Sequence, residues 1–178
     1  AHPPLYRLDR PAKVSRTGAG SRGRDETRGV MTDEQSAPGT PRDRQLEEAN
    51  KAIIAGAFKE WAAGTGGPFA LLADDVSWTI VGNSPVSRRY ESRQGFMDAV
   101  IHPFNARMAS PLVPTVPSLY AENDWVIALF DAAGTARDGK PYRNTYSWYL
   151  RLRDGRIVEA VAFFDTIAFT DLWNRITP

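Results

Sequence analysis

The chain has 178 residues, a net charge of +1 and a pI near 8.3, which suits one domain plus a tail and gives no electrostatic footprint for nucleic acid. It has no cysteine, so disulfides, thiol chemistry and thiolate metal sites are excluded, and its two histidines, His2 and His102, are too few for a multi-histidine metal site. No apolar stretch approaches the roughly 20 residues needed to span a bilayer, so a protein without membrane or nucleic-acid partners, placed in the cytoplasm, is expected.

Residues 1–39 are rich in Arg, Pro, Gly, Ser and Thr, with Tyr6 as the one aromatic. Such a segment buries too little surface to offset its ordering entropy and reads as a disordered tail or extension. It has no apolar core of a secretory signal, and Met31 is expected to open the natural chain. The domain is expected over residues 40–178. Thr40-Pro41-Arg42-Asp43 is a helix start, with a capping threonine, proline at the first position and an acid in the first turn. Leu46, Ala49, Ile53, Ala57 and Trp61 recur at helical spacing, and Gly64, Gly66 and Gly67 stop the helix. Pro68 to Leu72 reads as a short second helix, and Val76 to Val81 as a first strand broken by Gly82-Asn83-Ser84-Pro85. Ser92 can cap a third helix carrying Phe96, Val100, Phe104 and Met108, which Pro103 must kink or divide. Strand runs follow near Thr115–Tyr120 and over Trp125–Ala136, Tyr142–Arg153 and Arg156–Asp165. Helices first and an antiparallel meander after them indicate an α+β fold with the helices on one face of a sheet.

Asp138-Gly139 and Asp154-Gly155 lie between apolar runs, a strong hairpin signal. If both form two-residue turns, Arg137 pairs with Lys140 and Arg153 with Arg156. Asn144 then lies opposite Asp165, Tyr146 opposite Phe163 and Asp131, and Trp148 opposite Leu129. One face therefore collects Asn144, Tyr146, Trp148, Asp131, Phe163 and Asp165, unless a bulge breaks the register. Carboxylates on an apolar face must be paired, protonated or beside water. The same register turns Val126, Ala128, Phe130, Ala132, Val158, Ala160, Ala162 and Phe164 outward. This contiguous apolar patch points to a homodimer through the outer sheet face.

The segments Leu72-Ala73-Asp74-Asp75-Val76-Ser77-Trp78, Asp138-Gly139-Lys140-Pro141-Tyr142, and Asp154-Gly155-Arg156-Ile157-Val158-Glu159 running to Phe163-Phe164-Asp165-Thr166 resemble the SnoaL-like branch of the NTF2-like (ketosteroid-isomerase-like) superfamily. The resemblance spans about Leu46 to Trp173. It implies a cone in which a curved sheet wraps N-terminal helices and encloses an apolar pocket. It also implies a carboxylate general acid/base on the last strand, which Asp165 matches. Steroid isomerases of the superfamily keep a base where this chain has Trp78-Thr79-Ile80-Val81. Related epoxide hydrolases use an Asp–Arg–Asp set, and no arginine falls on the inferred inner face. Neither of those activities is favoured.

Asp165 is the leading catalytic candidate, oriented by Asn144, and its alternative role is a structural carboxylate bonded to a backbone N–H. Tyr146 either donates a hydrogen bond to a substrate oxygen or is a core tyrosine. Asp131, about 12 Å from Asp165 between Cα atoms, could bracket a small ligand with it. Trp78, Trp148 and Phe163 are pocket wall or core, Tyr90 and Phe96 could close the mouth, and His102 and Arg88-Arg89 read as solvated. The expected function is cofactor-independent chemistry on an apolar, carbonyl-bearing small molecule: isomerisation, dehydration or aldol-type cyclisation. The alternative is a non-catalytic binding domain of the same fold. The environment of Asp165 decides between them: a carboxylate facing the cavity supports an enzyme, a fully bonded one a binder.

Overall fold

The structure is a computed structural model that describes residues 40–178; the expected tail and Met31 lie outside the described residues. Thr40 opens helix α1 (Pro41–Ala63) as the sequence requires. Its hydroxyl accepts from the Asp43 N–H at 3.2 Å, while the Asp43 carboxylate accepts from the Thr40 N–H at 2.8 Å. This reciprocal box satisfies two N–H groups that a helix start leaves open. Gly64, at φ 70°, ends the helix in the left-handed conformation glycine adopts without strain. The buried face of α1 is Asn50, Ile54, Ala57 and Phe58, rotated from the expected stripe, so that Leu46 and Ala49 are exposed.

A 3₁₀ turn (Pro68–Leu71) leads into β1 (Leu72–Ile80), which pairs with the short β2 (Arg89–Tyr90). Ser92 caps α2 (Arg93–Phe96) by accepting from the Gly95 N–H. The helical run then widens into a π turn over Met97–Ile101 before α3 (His102–Asn105). Pro103 explains the widening: without an N–H, and with a ring that collides with the preceding turn, it cannot continue a regular α-helix. The remaining strands are β3 (Val113–Pro114), β4 (Ser118–Glu122), β5 (Trp125–Thr135), β6 (Pro141–Arg153) and β7 (Arg156–Phe164), followed by helix α4 (Thr166–Arg175). They form one curved, unclosed seven-stranded sheet in the order β2-β1-β7-β6-β5-β3, with β4 also on β5. The pairing of β1 with β7 is parallel and the rest is antiparallel. Phe58 of α1 packs on Phe130 and Trp148, Phe96 on Trp78, and Phe169 of α4 on Phe164. The helices therefore cover the inner face of the sheet.

The register corrects two expectations. In the first hairpin Ala136, not Arg137, closes on Lys140, and Arg137, Asp138 and Gly139 form a three-residue loop with Gly139 at φ 82°. Every β5 partner moves by one residue: Phe130 pairs with Tyr146, and Asp131 with Thr145. The second hairpin does have a two-residue turn, with Asp154 at φ 51° and Gly155 at φ 72°. A bulge then follows at once, because Leu152 pairs with Ile157 but Arg151 with Glu159. The extra residue flips the rest of β7 relative to the expectation.

Side-chain alternation follows that register. Val126, Ala128, Phe130, Ala132, Ala160 and Ala162 are buried, and Phe164 packs against the same core; they are not an outward patch. Val158, at the bulge, is half-buried. Leu129, Asp131 and Phe163 point outward instead, and each is exposed.

Candidate functional site

A cavity of about 510 Å³ lies between the inner sheet face and the helices. Trp78 and Ile80 of β1, Tyr146 and Trp148 of β6, and Ala162 and Phe164 of β7 supply the sheet side. Trp61, Phe69, the Phe96–Phe104 face of the second helical run and Phe169 of α4 enclose it, and Met108 to Leu112 form a further edge. The walls are mutually braced aromatics. Trp61 stacks on Trp148 with ring centroids 5.8 Å apart, Trp78 stacks on Phe96 at 4.4 Å, and Trp78 meets Trp148 edge-on at 5.4 Å. Such pairs add rigidity beyond the area they bury.

The lining contains no Asp, Glu, His, Lys or Arg among the described residues. Its polar side chains are Asn105, Ser110, Tyr146 and the tryptophan indoles. The Trp78 Nε1 is buried without a hydrogen-bond partner among the described residues. Tyr146 belongs to a short polar chain under the cavity wall. Asn144 Nδ2 donates to the Tyr142 hydroxyl at 2.9 Å and to the Asp165 carbonyl at 3.0 Å, and Asn144 Oδ1 accepts from the Asp165 N–H at 2.9 Å. The Tyr142 and Tyr146 hydroxyls lie 3.1 Å apart. Burial pushes the Tyr146 hydroxyl well above the usual tyrosine range, and the neighbouring Tyr142 pushes it further. Tyr142 is raised as well, again by burial first, so both phenols stay protonated at neutral pH.

The candidates divide sharply. Tyr146, Trp78, Trp148 and Phe96 come together on the cavity wall. Asn144 sits behind the wall, buried and fully bonded. Tyr90 backs Phe96 edge-on and donates its hydroxyl proton to the Val86 carbonyl, away from the lining. Asp131 and Phe163 are on the outer face, where Asp131 accepts from the Thr145 hydroxyl at 2.6 Å. Asp165 is exposed and caps α4, accepting from the Ile167 N–H at 2.9 Å and the Ala168 N–H at 3.3 Å. Asn144 holds the backbone of Asp165, not its carboxylate. His102 is exposed and lies 3.1 Å from Asp98.

Tyr142 and α4 are the surroundings of the cavity that the sequence did not single out. Both had a signal. Tyr142 shares the even-numbered parity of Asn144 and Tyr146. Asp165 as a cap followed by Phe169, Leu172 and Ile176, all buried, is an amphipathic helix pattern.

No helix among the described residues is long and apolar enough to cross a membrane, and no group of three metal-ligating side chains occurs among them. Solved structures share the fold. Bal32a, from a soil-derived mobile gene cassette, is 17% identical with a TM-score of 0.58 over 72% of this chain and 98% of its own. A Bacillus subtilis protein named as a candidate isomerase is 20% identical with a TM-score of 0.56, over 74% of this chain and 95% of its own. IdmH from Streptomyces antibioticus, named as a candidate polyketide cyclase, is 23% identical with a TM-score of 0.54, over 70% and 98%. No curated protein matches the chain. The SnoaL-like domain family matches residues 46–160, well over half the chain. That match makes the chain a member of the SnoaL-like domain family, whose curved sheet and helices here line an aromatic cavity.

Proposed function

We propose that this domain binds a neutral, largely apolar small molecule in the cavity enclosed by β1, β6, β7 and the helices. One observation carries the reading: the wall is aromatic, and Tyr146 is the one titratable side chain on it among the described residues. A charged ligand would meet no counter-charge there, and burying it unpaired is costly. The carboxylate that acid/base chemistry would use is committed elsewhere, since two backbone N–H groups of α4 hold Asp165. The bonded state of Asp165 therefore favours the binding reading. Isomerase or cyclase chemistry, of the kind two structural neighbours are named for, would here have to work by hydrogen-bond donation from Tyr146.

Titration with the neutral fluorophore N-phenyl-1-naphthylamine tests this. Saturable 1:1 binding is expected, with energy transfer from the wall tryptophans and no loss in Asp165→Asn. Absence of saturable binding would overturn the cavity reading. Binding that Asp165→Asn abolishes would return the carboxylate to the site.

We also propose that a second copy of the chain covers the outer sheet face, through residues other than those the sequence suggested. Leu129 and Phe163 flank Ser147 across three strands, and Tyr120, Ile127, Tyr149 and Val161 form the adjoining row. Leu129, Phe163, Tyr149 and Tyr120 are exposed. Five strands by about seven residues give roughly 600 Å² of projected face before side-chain relief, close to the ~800 Å² per partner of a standard interface. Sedimentation at micromolar concentration should show a dimer that Phe163→Glu dissociates; a monomeric parent would refute it.

A further inference from the structure

The helical run that closes the cavity carries three rows of side chains, since residues four apart share a helix face. Phe96, Val100 and Phe104 form a buried row that lines the cavity. Gln94, Asp98 and His102 form an exposed row. Met97 opens the row between them and is half-buried. The π turn over Met97–Ile101 takes more residues per turn than an α-turn, which keeps residues four apart in line instead of letting them drift round the axis. Past Met97 lies a second, polar groove, lined by Asp74 of β1 with Arg93, Gln94 and His102. Among the described residues, Met97 alone lines both the cavity and this groove. Its unbranched thioether side chain makes a flexible divider.

Hydrogen bonds fix what the groove offers. The Asp98 carboxylate accepts, so the atoms that meet it must donate. They are Gln94 Nε2 at 2.8 Å and His102 Nδ1 at 3.1 Å. The amide oxygen of Gln94 is thereby left as an acceptor, and in the neutral imidazole so is His102 Nε2. Arg93 supplies donors. Its Nη1 lies 3.9 Å from Asp74 Oδ1, near enough to balance charge but too far for a hydrogen bond.

A group that suits this set must donate and accept at once. A carboxylate only accepts and would face Asp74, while an ammonium only donates and would face Arg93. A carbonyl only accepts. A hydroxyl does both, and several on one ring match Arg93, Gln94 and His102 together. We propose that the groove is a second subsite for the hydroxyl-bearing part of a ligand, a sugar or polyol, whose apolar part fills the cavity across Met97. Asp98 is a positioning residue that sets which atoms of Gln94 and His102 stay free. This rests on the cavity-binding reading above and deepens it by naming the polar half of the ligand.

Three probes separate the two halves. 2-Naphthyl β-glucoside and its tetra-O-methyl ether share the ring and the acceptor oxygens, but only the glucoside donates. 2-Methoxynaphthalene reports on the cavity alone. The parent is expected to prefer the glucoside over its ether by about three- to tenfold, the size of one net hydrogen bond. Arg93→Ala and His102→Ala should each lower that preference and leave 2-methoxynaphthalene affinity unchanged. Nitrogen-15 NMR should find the proton of neutral His102 on Nδ1, and Asp98→Ala should move it toward Nε2 and weaken the preference. A parent His102 protonated on Nε2 removes Asp98 from the positioning role. Equal binding of glucoside and ether, with 2-methoxynaphthalene still bound, overturns the subsite and leaves the cavity reading standing. Tighter binding of 2-naphthyl phosphate than of the glucoside overturns it too, by making the groove an anion site. If 2-methoxynaphthalene does not bind, the cavity reading fails, and this inference with it.

Discussion

The two faces of β5, β6 and β7 are built from alternate residues of the same three strands, yet they do different work. Inward, Phe130, Tyr146, Trp148 and Phe164 brace one another around a cavity. Outward, Leu129, Asp131, Tyr149 and Phe163 meet solvent. Neighbours in sequence thus have opposite environments, and a one-residue slip exchanges them all. The chemistry tracks the face: the inner one keeps protonated phenols and excludes carboxylates, while the outer one carries Asp131 in a hydroxyl-bonded, exposed position.

The sharpest way to break this comparison is to truncate adjacent residues of β5. Phe130→Ala removes a ring that touches Phe58, Trp61, Tyr146 and Trp148, and should cost about 3–5 kcal/mol of unfolding free energy. Asp131→Ala, one residue along, should change stability by no more than about 0.5 kcal/mol. Urea denaturation of both measures the contrast. Similar costs would mean the faces are misassigned.

A smaller effect is expected behind the wall. Asn144→Ala leaves the Asp165 N–H and carbonyl and the Tyr142 oxygen without their partner, and should cost about 1–3 kcal/mol. Loss of protection of the first-turn amides of α4 in hydrogen exchange would locate the damage at the β7–α4 junction. Unchanged stability would show that water replaces the amide fully.

Below this comes Asp165 itself. Asp165→Ala removes the α4 cap and should cost about 1 kcal/mol, while Asp165→Asn, a good cap, should cost only a few tenths. Neither should alter affinity for a neutral cavity ligand. Thermal melts paired with ligand titration check both halves, and a large affinity loss in Asp165→Asn would contradict the placement of the carboxylate outside the cavity.

How much of this was legible follows from the same residues. The elements were: Thr40 and Asp43 announce α1, Pro103 announces an interrupted helix, and two Asp-Gly pairs announce hairpins. The inward parity of β6 was also legible, because Tyr142, Asn144, Tyr146, Trp148 and Leu150 alternate with Arg143, Thr145, Ser147, Tyr149 and Arg151. What failed was the transfer of that parity to its neighbours. Asp138-Gly139 fits a two-residue turn or a three-residue loop equally well, since both place Gly139 at positive φ. The bulge in β7 leaves no compositional mark. Yet β5 alone held a check: Val126, Ala128, Phe130 and Ala132 are uniformly apolar, whereas the alternate set contains Asp131. Weighing burial pattern above turn arithmetic would have set the face of β5 correctly and taken Asp131 out of the site, while Phe163 depends on the bulge.

The smallest expected effect concerns the β5–β6 turn that set the register. Arg175, in the last turn of α4, forms an ion pair with Asp138 in that turn, and Asp171 accepts from the same guanidinium at 2.8 Å. The hydrogen bond from Arg175 holds the Asp138 carboxyl below its ordinary range, helped by the Lys140 N–H and the nearby positive charges. A carboxylate with a depressed folded pKa contributes stability that is present above its unfolded value, near 3.9. That contribution is lost as pH falls through the lower, folded value. Stability of the parent should therefore fall as the pH drops below about 4 by slightly more than that of Asp138→Asn, and the two should run parallel from pH 5 to 8. The difference should shrink with added salt, because the pair is solvent-screened. Melts of both proteins between pH 2.5 and 7 measure it. If the two proteins respond identically below pH 4, the ion pair does not fasten α4 to the turn, and the cap at Asp165 with the Asn144 bonds holds that helix from its other end.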